Sequence, residues 1–146
     1  VLAVLAVLAL GAGRWRRFLL VLPVAALATG CTALRSPHEQ AWLALHAVDT
    51  AQTVDIAHDP CYIEAHPVTR ALIGERPSDA QVAAWAIGTA ALHVGVTQWL
   101  LDHYHPKLAR AWSYVTIGEK AWAIGHNISL GIRLGAPNKS YAGCVR

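Results

Sequence analysis

The histidines and carboxylates that could do chemistry in this chain fall at helical spacing. His46, Asp49, Thr50 and Thr53 follow the i, i+3, i+4, i+7 pattern that puts side chains on one helix face. Thr89, His93 and Thr97 form a second stripe, and Glu119 and His126, seven residues apart, share a third face. Imidazole and carboxylate groups on facing helices can hold a metal in a bundle core, or exchange protons with a substrate. His46, Asp49, His93, Glu119 and His126 therefore make up the candidate polar cluster. The spacing stops short of a metal motif, because only His46 and Asp49 form a close pair. No metal ligand, catalytic residue or cofactor is assigned on this pattern. The competing reading of each stripe is interhelical hydrogen bonding, since buried polar groups need partners.

The elements that must carry these stripes are three helices. Ser36, Pro37 and Glu39 have the order of a capped helix start, with Ser at the N-cap, Pro at N1 and Glu at N3. This helix is expected to run to about His58, where Asp59-Pro60 ends it. A loop of about 18 residues follows, long enough to be either functional or pinned. The second helix starts at Ser78, with Gln81 completing a second capping box, and runs to about Tyr104. The third runs from Pro106 to about Leu134, with Gly135 as its C′ residue and Pro137 preventing continuation. The short break at His105-Pro106 implies an antiparallel helical hairpin. His103 and His105 flank Tyr104 there and are expected to be solvated. The fold class expected is all-α, a small bundle of three helices with the hairpin in the C-terminal half.

Charge and composition exclude several functions. Hydrophobic residues make up 55% and charged residues 14% of 146 residues, which is apolar for a soluble domain. The net charge of +3 has a local origin in Arg14, Arg16 and Arg17. From residue 31 onward nine basic residues balance nine acidic ones, and no run of like charge offers a nucleic-acid footprint. There is no GxSxG, no CxxCH and no phosphate-binding glycine loop. The six Trp residues are spread through the chain and are read as core or interface aromatics.

The chain holds no Met, and the run VLAVLAVLALGAG at its start is given no structural role. Arg14–Arg17 then form a basic n-region, and Phe18–Thr29 an apolar stretch within signal-peptide length. As a helix that stretch would reach about 18 Å, short of a bilayer core of about 30 Å. It ends LATGC. This resembles the lipobox of bacterial lipoproteins, in which small residues precede an obligatory Cys; Ala28 departs from the larger aliphatic residue usual there. The resemblance implies cleavage before Cys31 and its acylation, by palmitate among other chains. Thr32, which is not Asp, favours the outer membrane by the lipoprotein sorting rule. The segments DTAQTVDIA (49–57), CYIEAHP (61–67) and GHNISLG (125–131) are similar to those of small uncharacterised proteobacterial and phage-associated lipoproteins, a resemblance that implies no activity.

On this reading residues 1–30 are export signal and leader, 31–36 a tether, and 37–146 the helical domain. The location is the periplasmic side of the cell envelope, where oxidising conditions would allow Cys61 and Cys144 to pair. The expected partners are the membrane, through the lipid, and possible envelope proteins; no nucleic acid is expected. The helical hairpin competes for the bilayer, because Val82–Leu101 is free of formal charge and carries a small-residue stripe, Ala84, Gly88, Ala91 and Gly95. Against spanning stand Glu119 and Lys120 in mid-helix. A hairpin turn facing the cytoplasm would also leave Arg70, Arg76, Arg133, Lys139 and Arg146 outside, against the positive-inside rule. The sequence therefore favours a non-enzymatic, lipid-anchored protein with a structural or interaction role. An integral membrane protein and a metal-dependent or acid–base enzyme are the alternatives.

Overall fold

The computed structural model describes residues 32–59, 62–64, 66–132 and 134. Cys31, Cys61, Cys144 and Gly135, on which the lipid, the disulfide and one helix stop were placed, lie outside the described residues. Among those described, all regular structure is helical. A 3-10 turn at Ala33–Arg35 precedes α1 (Pro37–His58), α2 (Pro67–Ile73), α3 (Asp79–Asp102) and α4 (Pro106–Ser129). The all-α expectation holds. The three long helices all touch one another, with α1 and α4 in the most extensive contact, while α2 leans on α3.

Helix α2 was not expected. It occupies the segment read as a long loop, where Pro67 sits in its first turn and the His66 ring accepts from the Thr69 N–H at 3.4 Å. Gly74 ends it at φ +89°. The segment is pinned as well as folded. Buried Glu64 accepts from the His66 N–H, and its own N–H donates to the Glu75 carbonyl, each at 2.9 Å. Tyr62 donates its hydroxyl to the Leu130 carbonyl at 2.9 Å.

The helix ends correct the sequence reading at two points. Ser78 and Gln81 form the expected capping box, but Ser36 makes no side-chain cap on α1. Its would-be partner Glu39 turns inward instead and is fully buried. At the other end α4 stops at Ser129 rather than near Leu134. Gly131, at φ +87°, allows the Gly131 N–H to reach the Ile128 carbonyl and the Ile132 N–H to reach that of Asn127. Those two bonds make a Schellman stop, so the chain turns before Gly135 is reached.

The same stop ends α3, with an unusual residue in it. Tyr104 donates to the Leu101 carbonyl and His105 to that of Leu100, which places Tyr104 at C′ with φ +61°. Glycine normally takes that left-handed position because a Cβ costs about 1–2 kcal/mol there. The Tyr104 side chain is 91% exposed, so nothing within the described chain offsets the strain.

The tether packs where the hairpin turns. Thr32 donates its hydroxyl to Gln98 Oε1 at 3.2 Å, and the Ala33 N–H reaches the same oxygen at 3.0 Å. Thr32 therefore lies beside the last turn of α3, at the same end as the turn into α4. A spanning hairpin was read from the sequence with its turn toward the cytoplasm, away from the anchor; the structure puts Thr32 and that turn at one end.

Two outcomes follow for stability, both measurable by thermal denaturation. Ser78→Ala should cost about 1 kcal/mol while Ser36→Ala costs under about 0.5 kcal/mol, because only the first removes a cap. Tyr104→Gly should raise stability by about 1 kcal/mol through relief of the left-handed strain.

Candidate functional site

The polar stripes meet in the interior around a column of four stacked rings. His46 and Trp42, one turn apart on α1, lie with ring centroids 4.7 Å apart and planes 16° from parallel. The other face of Trp42 carries the His93 ring of α3 at 3.7 Å and 6°. Trp112 of α4 closes the column on His93 at 5.3 Å and 27°. All three long helices contribute, so the column fixes their mutual rotation.

His93 is the polar centre of this column and is 3% exposed. Its Nδ1 lies 2.7 Å from Glu39 Oε1, and its Nε2 lies 2.8 Å from Thr116 Oγ1. The Nδ1–H donates to the carboxylate. The Thr116 hydroxyl either donates to Nε2 or accepts from it while donating to the Trp112 carbonyl at 2.9 Å. The two arrangements differ by one proton on the ring. Hydroxyl, imidazole and carboxylate thus stand in the order nucleophile, base and orienting group. His46 is held differently. Its Nε2–H donates to the Ala86 carbonyl at 2.9 Å, and Thr89 Oγ1 lies 3.2 Å away. Four buried atoms of the column have no hydrogen-bond partner among the described residues: Glu39 Oε2, Trp42 Nε1, His46 Nδ1 and Trp112 Nε1.

Farther along α1 the polar contacts continue. Lys120 of α4 donates to Asp49 Oδ2 at 2.8 Å, with side chains only 14% and 18% exposed. Glu119 lies 3.7 Å from the same ammonium group. One turn on, Asn127 donates to the fully buried Gln52 at 3.0 Å. A cleft of about 480 Å³ opens between α3 and α4 over this row. Asp49, His93, Thr116, Glu119, Lys120 and His126 all line it, between walls that include Trp85, Trp112 and Trp122.

Of the five residues in the candidate polar cluster, four line this cleft and His46 sits behind it in the ring column. They do not converge on one point. His93 engages Glu39, Asp49 engages Lys120, and His126 is exposed and stacks on Trp122 at 5.4 Å. No group of three or more His, Cys, Asp or Glu side chains among the described residues is arranged to hold a metal. Sequence reasoning missed Glu39, Thr116 and Lys120. Glu39 extends the α1 stripe one interval upward from His46, but its place at N3 had assigned it to a cap. Thr116 and Lys120 lie four residues apart and mark the inward face of α4.

No protein-family model matches the chain, and neither does any curated protein or solved structure.

Removing one partner of the Glu39–His93 pair strands the other in the core. His93→Leu alone should cost about 3–5 kcal/mol, and Glu39→Leu with His93→Leu should recover most of that loss. Chemical denaturation of the two variants against the parent checks it; equal losses would mean that the pair is not coupled.

Proposed function

We propose that this chain is a lipid-anchored envelope protein whose helical bundle is embedded in the membrane, with a structural or interaction role. It is a bundle of the three long helices, tethered through Cys31. The observation that carries this reading is the reversed distribution of polarity. Glu39, His46, Gln52, His93, Thr97 and Ser113 are buried, while Ile87, Leu92, Trp99, Val115, Trp122 and Ile128 are each about half exposed or more. Water favours the opposite arrangement, whereas hydrocarbon favours this one.

The outer face of α3 makes the case residue by residue. Ala84, Ile87, Gly88, Ala91, Leu92, Gly95 and Trp99 are exposed and uncharged, and a Cβ on Gly88 or Gly95 would meet nothing within 4 Å. Only 17% of the apolar window of this helix is buried among the described residues, unlike the mostly buried core helix of a soluble protein. At 24 residues it is about 36 Å long, enough to cross a core of about 30 Å. Among the described residues α3 alone is apolar enough to cross by composition. Helix α4 carries more charge, but Glu119 and Lys120 face the cleft. Its other exposed positions beyond Arg110, among them Ala111, Tyr114, Val115, Gly118, Ala121, Gly125 and Ile128, carry no formal charge. Thr32 and the hairpin share one end, so an anchor outside the membrane would leave the opposite helix ends, with Arg70 and Arg76, on the inner side, in keeping with the positive-inside rule.

The test is labelling from inside the bilayer, because acyl chains alone would hold the protein through an alkaline wash. An apolar photoreactive probe dissolved in the hydrocarbon of vesicles that hold the full chain should label α3 around Leu92, and Leu92→Lys should lose a large share of that label, since a cation in mid-span costs roughly 3 kcal/mol. No label on α3 of the parent chain would sink the embedding. Intact mass of the extracted protein separately reads cleavage and acylation at Cys31.

A second reading rests on the Thr116–His93–Glu39 order at the cleft, which has the geometry for acyl transfer to the threonine hydroxyl. A fluorophosphonate probe should then label Thr116 in the parent and fail to label His93→Gln. A folded parent chain that takes no label ends this reading.

A further inference from the structure

We propose that the hairpin end of the bundle is a lipid-headgroup surface that selects anionic lipids in the leaflet holding the anchor; this rests on the embedded, lipid-anchored reading above. Thr32 is tied to Gln98 at this end, and the preceding residue in the chain is Cys31, so acyl chains on that cysteine would enter the bilayer beside the last turn of α3. The surface around that point has the composition of a membrane interface. Trp99 is 55%, Leu108 57% and Tyr104 91% exposed. Amphipathic aromatic rings favour the headgroup level, where one end is apolar and the other wet.

Exposed Arg35 follows Thr32 in the 3-10 turn, and exposed Lys107 and Arg110 lie in the first turns of α4 at this end. Asp102, at the same turn, accepts from the Gln98 amide at 2.7 Å. Three cations against that single engaged carboxylate leave this end positive among the described residues, which fits a phosphate-bearing anionic headgroup. Tyr104 supplies an independent reason. A bulky residue stands at φ +61°, where glycine would be unstrained, and its ring has no stacking partner among the described residues. Insertion of that ring between headgroups would give this strained, exposed residue a partner.

The test places a photocrosslinker in the full chain, reconstituted in vesicles of 30% phosphatidylglycerol and 70% phosphatidylcholine. In one variant Tyr104→p-benzoylphenylalanine probes the hairpin, and in another Leu92→p-benzoylphenylalanine probes the middle of α3. Adducts at position 92 should follow the bulk lipid ratio. Adducts at position 104 should be enriched severalfold in phosphatidylglycerol. Lys107→Glu with Arg110→Glu should abolish the enrichment, because both cations that attract the anionic headgroup are reversed. No adduct at 104, or adducts there at the bulk ratio that ignore the charge reversal, overturns the proposal. Adducts at 104 with none at 92 leave the headgroup surface standing and overturn the embedding instead.

Discussion

The buried contact between Glu39 and His93 is the constraint on which the rest of this architecture depends. A carboxylate removed from water needs a partner at close range, and the His93 ring is the one that reaches it, at 2.7 Å. The ring cannot serve Glu39 unless α3 presents that face to α1. Once it does, Trp42 and Trp112 stack on its two faces and Thr116 takes its second nitrogen. One polar contact thereby fixes the rotation of all three long helices. It also explains a missing cap, because the glutamate that would have closed the start of α1 is used inside.

Interior polarity of this kind has a consequence for the exterior. Each inward His, Gln, Thr or Lys takes a position that an apolar side chain would fill in a soluble bundle. The apolar residues are left facing outward on α3 and α4. Were the bundle in hydrocarbon, as proposed, its helices would cohere through contacts such as the interhelical hydrogen bonds found here. The ring column and the Asp49–Lys120 pair are the inward contacts that join the helices.

The cleft over the polar row is where chemistry would be possible. Thr116 and His93 line it, with the buried Glu39 carboxylate behind the imidazole, and its walls include indole rings. The same geometry also serves packing, since a threonine and a histidine that satisfy one another are a stable core contact. Membrane topology and cleft chemistry are compatible, because both place the reactive groups away from lipid.

Much of the fold was legible in the residues themselves. Pro37, Pro106, Ser78 with Gln81, and the His105-Pro106 break mark local backbone chemistry, and local chemistry survives folding. The helix α2 was harder to see, being only seven residues long with its cap on a histidine ring. The stop at Gly131 was overlooked for Gly135 because either glycine could adopt positive φ, and only the Asn127 and Ile128 carbonyls select between them. The candidate site was legible as stripes but not as partners. Spacing along a helix says which side chains share a face, whereas pairing across helices depends on their mutual rotation and depth. By itself the sequence determined an all-helical chain, its main breaks, and a polar row with His46, Asp49 and His93. Tertiary structure alone decided that His93 meets Glu39 and Asp49 meets Lys120, and that the tether lies beside the hairpin, because these are contacts between residues roughly 54 to 71 positions apart, which no local rule connects.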